Sequence, residues 1–176
     1  MAGHNKWAQI KRKKAANDAG RSRMFVKLSR AISVEAKKAK GDKTAPGLIA
    51  AVEKARKANM PNDTIDRAIA KASEAKDMMP VLYEAYGPAG VQLIIEGLTD
   101  NNNRTSQELR HLLDTHEGSL GTPGSVMWNF TKQDNEYIAQ SFVSIDDDSA
   151  EKVEALIEAL ENHDDVQQVA TNIGDE

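Results

Sequence analysis

The stretch VLYEAYGPAGVQLIIEGL, residues 81–98, decides which fold class this chain can adopt. Val81 to Tyr86 and Val91 to Leu98 have the apolar and aromatic content of β-strands, and the residues from Gly87 to Gly90 between them have strong turn chemistry. The stretch therefore predicts a β-hairpin. The segments on its two sides differ in the periodicity of their apolar residues.

On the carboxyl-terminal side, helical and strand patterns alternate. Thr105 and Glu108 have the spacing of a capping box, and Leu109, Leu112 and Leu113 supply the buried stripe of the helix that it would begin. Further along, the patterns predict strands at 125–130 and 142–145, a helix through Val153, Leu156, Ile157 and Leu160, and a strand at 166–170. A ββαβ run followed by βαβ predicts an α+β domain with one mainly antiparallel sheet and two helices.

On the amino-terminal side, apolar residues recur at helical spacing. Leu28 and Ile32 mark a long helix that ends at Gly41, and Pro46 suits the first turn of a second helix. A third helix follows Pro61, where the chain turns again. Three helices joined by short turns predict a small helical bundle.

The predicted domains carry opposite charges. The three-helix domain, residues 1–76, has 19 Lys and Arg against 7 Asp and Glu, a net charge of +12. The α+β domain, residues 77–176, has 4 against 20, a net charge of −16, and the two sum to the −4 of the whole chain. Such asymmetry predicts a basic segment that meets a polyanion beside an acidic, self-contained domain.

Composition and motifs exclude several classes of protein. The 176 residues contain no cysteine, which excludes disulfides, thiolate metal sites and cysteine nucleophiles. No apolar run approaches the roughly 18 residues of a membrane span, and the polar start at Met1 to Trp7 does not resemble a secretory signal. We therefore expect a cytoplasmic chain with no membrane partner. Because no catalytic or nucleotide-binding motif appears, we expect no enzyme activity, no cofactor and no small-molecule substrate.

Two groups of potential metal ligands have simpler explanations. His111 and His116 lie five residues apart on a predicted helix, so their side chains point in different directions. Asp146 to Asp148 precede a predicted helix, whose dipole favours negative charge at its first turn. We therefore expect no metal site.

The basic amino-terminal run is the main candidate binding site. Residues 1–40 have 12 Lys and Arg against 2 Asp and Glu, a net charge of +10. A solvated helix face would explain an ordinary charge run, but this one repels itself unless an anion binds, and phosphates gain affinity by releasing counterions. Trp7 adds a flat face for stacking on a base, and we expect a partner to order His4, Lys6 and Trp7. The candidate nucleic-acid contacts here are His4, Lys6, Trp7, Lys11, Arg12, Lys13, Lys14, Arg21, Arg23, Lys27, Arg30, Lys37 and Lys38.

The polar turn from Asp100 to Arg104 has two interpretations. It is a loop with N-capping chemistry, or it is a place where Arg104 meets a phosphate at a helix N-terminus, which itself attracts anions. We include Arg104 among the candidate nucleic-acid contacts.

Taken together, these segments resemble the YebC family, which includes the mitochondrial translational activators. The similarity spans nearly the whole chain, and its motifs occur in the family's order. They are MAGHNKW at 1–7, the basic run to Arg30, NMP at 59–61, RAI at 67–69, YEAYGPAG at 83–90, DNNNRT at 100–105, LGTPGSV at 120–126 and DDVQQV at 164–169.

The resemblance implies a helical amino-terminal domain, a central α+β domain, and a third α+β module inserted within the second. Between Phe130 and Phe142 this chain has no room for that module. Gly47 and Ile49 stand where arginines are common in the family, so the second helix is less basic than the resemblance implies.

The resemblance implies two possible functions, both in gene expression. One is a transcriptional regulator that binds promoter DNA. The other is a translation factor that binds the ribosome and ribosomal RNA and relieves stalling, notably at proline-rich stretches. We favour RNA, because no polar recognition helix is predicted and an exposed basic segment suits irregular RNA surfaces. A third hypothesis is that the acidic domain docks a protein while the basic segment only solubilises the chain.

Overall fold

The computed structural model describes residues 7–10, 13 and 18–174. The chain forms two compact units, one of residues 17–79 and one of residues 80–176 together with 1–16. The charge and periodicity patterns divide the chain after residue 76 instead, and they assign the first sixteen residues to the helices. The difference arises because Trp7 and Ile10 pack into the core of the α+β unit.

The unit of residues 17–79, called the helical unit here, contains the three predicted helices. Their bounds are α1, Asp18–Ala39; α2, Pro46–Lys57; and α3, Asn62–Ala70, which continues as a 3₁₀ turn, Lys71–Glu74. Leu28, Ile32 and Ala36 recur at helical spacing along α1 and are buried in the core of this unit. Positive φ angles at Lys40 and Gly41 end α1.

The other unit, called the α+β unit here, combines helices with antiparallel strands. In chain order these are β1, Met79–Tyr86; β2, Gln92–Thr99; α4, Asn102–Thr115; β3, Ser119–Leu120; β4, Phe130–Gln133; β5, Glu136–Ala139; α5, Asp147–Asn162; and β6, Val166–Thr171. Four strands form one sheet in the order β3-β1-β2-β6, and β4 pairs with β5 as a separate hairpin. The predicted antiparallel sheet with two helices is confirmed, and the β4–β5 hairpin is an addition to it.

Each face of the four-stranded sheet packs against a different layer. Side chains alternate between the faces along β2, so Leu93 and Ile95 join the core formed with α4 and α5. Ile94 lies on the opposite face, where it packs with Val126 and Phe130 at the start of the β4–β5 hairpin. The sheet is therefore buried on both sides. No helix in the part of the chain that the structure describes is both long and apolar enough to cross a membrane.

Two strand predictions in this unit are wrong. In the stretch 125–130, a turn leads into a 3₁₀ turn, Met127–Asn129, and only the last residue belongs to β4. Backbone N–H groups of this stretch donate to the side chain of Glu84, so they are not available to a neighbouring strand. The stretch 142–145 forms only an isolated bridge, and the strand that precedes α5 is β5.

Candidate nucleic-acid interface

The amino-terminal end of α1 extends past the core of the helical unit. Phe25 and Leu28 are the first α1 residues that pack there. Arg21 and Arg23 precede them and are exposed. Since the 22 residues of α1 span about 33 Å, its first two turns reach well beyond the residues that α2 and α3 cover. This end of α1 therefore presents its positive charges to solvent, as the sequence predicts.

Four basic residues share one face of α1, which we call the α1 stripe: Arg23, Lys27, Arg30 and Lys37. Their spacing of four, three and seven positions keeps them on one side of the helix. Arg23 is exposed, whereas Lys27 and Arg30 are half-buried. The Arg30 guanidinium donates to Sδ of Met78 at 3.7 Å. The stripe is thus most open at its amino-terminal end.

The two candidate lysines at the end of α1 have acidic partners within the helical unit. Lys37 Nζ donates to the carbonyl oxygen of Ala75 at 2.6 Å and forms an ion pair with Asp77 at 2.9 Å. Lys38 forms an ion pair with Glu35 at 2.7 Å. Their charges are partly neutralised, which makes both residues weaker candidates for phosphate contacts than the sequence predicts.

Further basic residues of the helical unit were not among the predicted contacts. Residues 18–79 contain 14 Lys and Arg against 8 Asp and Glu, a net charge of +6. The predicted contacts in this unit came from the first forty residues, where the positive charge is densest. Residues 41–79 also have a net positive charge. The exposed members outside the predicted set are Lys40, Lys43, Lys54, Arg56, Lys57, Arg67, Lys71 and Lys76.

Trp7 is buried, which corrects the prediction that it offers a face for stacking. Only 7% of the residue is exposed, and it packs with Ile10 in the core of the α+β unit. The other members of that core begin at Ala85, so no local pattern could reveal the contact. Lys13 is exposed. The remaining predicted contacts of this segment lie outside the described residues: His4, Lys6, Lys11, Arg12 and Lys14.

Arg104 has carboxylate partners within the α+β unit, which corrects the prediction of a phosphate contact. Its Nη2 atom lies 2.6 Å from Asp165 and 3.0 Å from Asp100, and its Nε atom lies 3.8 Å from Glu108. The hydrogen bond to Asp165 is the main cause that raises the pKa of Arg104. Because the Asp165 side chain is only 5% exposed, loss of the guanidinium would leave a buried charge without its partner. The role of Arg104 is therefore structural.

The same carboxylate also binds a side chain in the first turn of α4. Thr105 is buried and donates to Asp165 at 2.7 Å. The helix begins at Asn102, with the side chain of Asn101 as its cap. The predicted capping box is wrong because the hydroxyl of Thr105 is turned into the core.

Glu108, His163 and Asp165 place three potential metal ligands within 4.8 Å of one another. His163 Nε2 lies 2.8 Å from Glu108, and His163 Nδ1 accepts the backbone N–H of Asp165 at 3.1 Å. The Arg104 guanidinium contacts both carboxylates of the group. Since these ligand atoms already have protein partners, we assign the cluster a structural role.

Glu84 is a buried carboxylate inside β1 that no sequence motif marks. It is 6% exposed and accepts backbone N–H groups from Gly124 at 2.6 Å and from Val126 and Met127 at 2.8 Å. Burial acts to raise the pKa of Glu84, but the three hydrogen bonds outweigh it and lower that pKa. The loop that they fix leads to Trp128, which is 65% exposed. An acidic residue inside an apolar strand pattern was the available signal.

Both units match models of the same protein family. Residues 5–75 match the TACO1/YebC protein N-terminal domain, and residues 78–135 and 131–173 match the TACO1/YebC second and third domain. A probable transcriptional regulatory protein of Thermosipho melanesiensis is 55% identical over 137 residues, which are 76% of this chain and 54% of the relative. This chain thus spans about half the length of that relative.

Two further similarities cover more of the chain. A probable transcriptional regulatory protein of Petrotoga mobilis is 45% identical over 176 residues, 97% of this chain and 70% of the relative. The crystal structure of a conserved hypothetical protein from Aquifex aeolicus has a TM-score of 0.71 at 30% identity, covering 90% of this chain and 93% of that one. On these matches, this chain belongs to the TACO1/YebC family.

Proposed function

We propose that this chain is a non-enzymatic regulator of gene expression that binds nucleic acid through its basic helical unit and its basic first sixteen residues. The observation that carries the proposal is the exposed basic end of α1, where Arg21 and Arg23 precede the first core residue. The names of the Thermosipho and Petrotoga relatives, probable transcriptional regulatory proteins, support a role in gene expression.

The charge distribution supports the helical unit as the part of the chain that would meet a polyanion. Residues 80–176 have 4 Lys and Arg against 19 Asp and Glu, a net charge of −15, whereas residues 18–79 have a net charge of +6. Residues 80–176 therefore repel phosphates, and residues 18–79 attract them. Each phosphate that a basic side chain neutralises releases counterions, so binding weakens as salt rises.

Within this function, we propose RNA of the ribosome as the partner, with relief of stalling at proline-rich stretches as the role that the family resemblance implies. In a helix-turn-helix protein, the helix after the tight turn enters the major groove of DNA. The corresponding helix here is α3, and it exposes two acidic residues, Asp63 and Asp66, against one basic residue, Arg67, so its net charge would repel the phosphates beside the groove. The projecting end of α1 suits the irregular surface of folded RNA better.

Fluorescence anisotropy with two labelled probes tests the proposal. An RNA hairpin with a single-stranded loop and a DNA duplex of equal length are titrated with the purified full chain over a series of KCl concentrations. We expect tighter binding of the RNA, with log affinity falling linearly against log salt. Co-sedimentation with ribosomes, with and without nuclease, checks whether the chain binds the ribosome and whether that binding needs RNA.

The other outcomes identify the alternatives. Tighter binding of the duplex at every salt concentration would favour the DNA-binding transcriptional regulator. Protein partners that survive nuclease treatment in a pull-down would favour a protein-docking role of the acidic unit. If neither probe binds in dilute buffer, the proposed function is wrong.

A further inference from the structure

β6 is the last strand on its side of the four-stranded sheet, and its inner side forms a ladder with β2. In the part of the chain that the structure describes, its outer side carries one pairing. This is an isolated parallel bridge between Val143 and Ile173, just beyond the end of the strand. Among these residues, no strand pairs with the outer edge of β6 between Val166 and Thr171.

The sequence of β6 lacks the residue types that protect an exposed strand edge. Natural edge strands often carry lysine or proline, which discourage pairing with another chain. The segment Val166–Thr171, VQQVAT, contains no charged residue and no proline. The irregularity in its ladder with β2 lies opposite Glu96 and Gly97, so the register is regular from Gln168 onwards. This regular part of β6 can therefore accept a further strand.

A groove of about 360 Å³ lies against the regular part of β6, and we call it the edge groove. Four consecutive residues of the strand line it, from Gln168 to Thr171. Because side chains alternate between the two faces of a sheet, four consecutive strand residues line one groove only where it meets the sheet edge. The edge groove thus lies where a fifth strand would continue the sheet.

The walls of the edge groove belong to the two layers that cover the sheet. α5 lines one side and β5 with Phe142 lines the other, and Trp7 and Ile10 also contribute to the lining. Val169 packs with the core that includes α5, whereas Ala170 packs with the cluster that includes Phe142. Successive side chains of an added strand would face α5 and β5 in turn.

The two walls differ in chemistry. The α5 wall has two carboxylates, Glu154 and Glu161, and the other wall has two aromatic rings, Tyr137 and Phe142, with Glu136 beside them. The lining residues that the structure describes include no Lys or Arg. A peptide with basic residues at alternate positions and apolar residues between them complements both walls.

We propose that the edge groove binds an extended peptide segment of a partner protein. The segment adds to β6 as a fifth strand, with its basic side chains towards α5 and its apolar side chains towards β5. In complexes of this kind, main-chain hydrogen bonds to the sheet edge give affinity, and alternate side chains give specificity. The occupant is a protein because the glutamates of the groove repel phosphates. The edge groove belongs to the α+β unit, so its occupation does not depend on the RNA contact proposed for the helical unit.

Two labelled peptides of identical composition test binding to the purified full chain by fluorescence anisotropy. Lysine and valine alternate in one peptide, and they form separate blocks in the other. We expect the alternating peptide to bind about tenfold more tightly, because several side-chain contacts with the sheet and its walls then form together. Equal affinities would show that charge alone attracts the peptides. That result, or no binding of either peptide in dilute buffer, would overturn the proposal.

Hydrogen exchange followed by NMR on the full chain shows where the peptide binds. Alternate backbone N–H groups of an edge strand point away from the sheet and exchange with solvent. We expect saturating alternating peptide to slow exchange at alternate amides of β6. Binding without this protection would rule out strand addition. If all of these amides are already protected in the chain alone, another segment of the chain or a second copy occupies the edge, and the proposal is wrong.

A matched pair of charge variants on α5 tests the acidic wall. Glu154→Gln removes a carboxylate from the edge groove, and Glu158→Gln removes an exposed one from the same helix outside the described lining. We expect Glu154→Gln to weaken binding of the alternating peptide about threefold, the size of a typical exposed ion-pair effect. Glu158→Gln should leave it nearly unchanged. Equal losses in the two variants would mean that net charge governs binding, which contradicts the proposed site.

Discussion

At the scale of single residues, Glu84 fixes a loop by accepting three backbone N–H groups inside the protein. We expect Glu84→Gln to destabilise the α+β unit by about 1 to 3 kcal/mol at neutral pH, because an amide NH₂ would face donors that need an acceptor. Urea unfolding of the two proteins measures the difference. Glu96→Gln, which removes only a surface ion pair with Lys132, is the control and should cost below about 1 kcal/mol.

The pH dependence of that difference follows from the lowered pKa of Glu84. A carboxylate with a lower pKa in the folded state stabilises the fold above its unfolded pKa, and the stabilisation is lost as pH falls through the folded pKa. The gap between wild type and Glu84→Gln should therefore be full at neutral pH and shrink in acid below the ordinary glutamate range. A gap that stays constant over this range would contradict the assignment.

Substitution of Arg104 distinguishes a structural role of this residue from a phosphate-binding role. Arg104→Ala removes the partner of the buried Asp165 carboxylate, so we expect a lower urea midpoint for the α+β unit and an unchanged salt dependence of RNA binding. Adding Asp165→Asn should recover part of the stability, because the buried charge that the guanidinium balanced is then gone. Weaker RNA binding in Arg104→Ala without any loss of stability would restore the phosphate contact.

At the scale of elements, the exposed end of α1 determines the salt dependence. The double variant Arg21→Gln with Arg23→Gln should reduce the slope of log affinity against log salt by about 0.7 to 0.9 for each phosphate that is no longer neutralised. The control variant removes two charges from the α+β unit instead, with Arg110→Gln and Lys132→Gln, and should leave the slope unchanged. Equal changes in both variants would mean that the long-range charge of the chain, not α1, governs binding.

The elements that sequence patterns predicted are those whose signals are local. The apolar residues of α1 recur over several turns, and the strands of the 81–98 hairpin flank a turn of Gly and Pro, so neighbours along the chain specify both. The stretch 125–130 failed as a strand because its backbone donors pair with Glu84, some forty positions earlier in the sequence. The pattern of apolar residues within this six-residue stretch cannot reveal a contact with a residue so far away in the sequence.

For the candidate site too, the predictions that rest on local signals differ from those that depend on distant contacts. The positive charge of α1 is a property of composition and was predictable. The burial of Trp7 depends on a core that starts at Ala85, and the partner of Arg104 lies sixty-one positions further along. Predictions at these two positions were wrong because each side chain is satisfied by a distant segment.

At the scale of the whole molecule, the two units have separate cores. Among the residues that the structure describes, the core of the helical unit comes from residues 25 to 72, and the two clusters of the α+β unit contain none of these. We therefore expect Glu84→Gln to shift the unfolding of the α+β unit alone. Methyl NMR during urea titration can follow Ile32 and Ile65 in the core of the helical unit, and Ile94 and Ile95 in the two clusters of the α+β unit. An equal shift of all four signals would show that the units unfold together.

The β4–β5 hairpin also has a consequence for how longer members of the family are assembled. It turns through Asp134 and Asn135, which both have positive φ, as the central residues of a tight hairpin turn require. The two family matches, 78–135 and 131–173, overlap at this tip. An insertion between Asp134 and Asn135 that begins and ends close together would keep the register between β4 and β5. We therefore expect the tip to be a grafting point, where a reporter or an extra domain can be inserted while the four-stranded sheet stays intact.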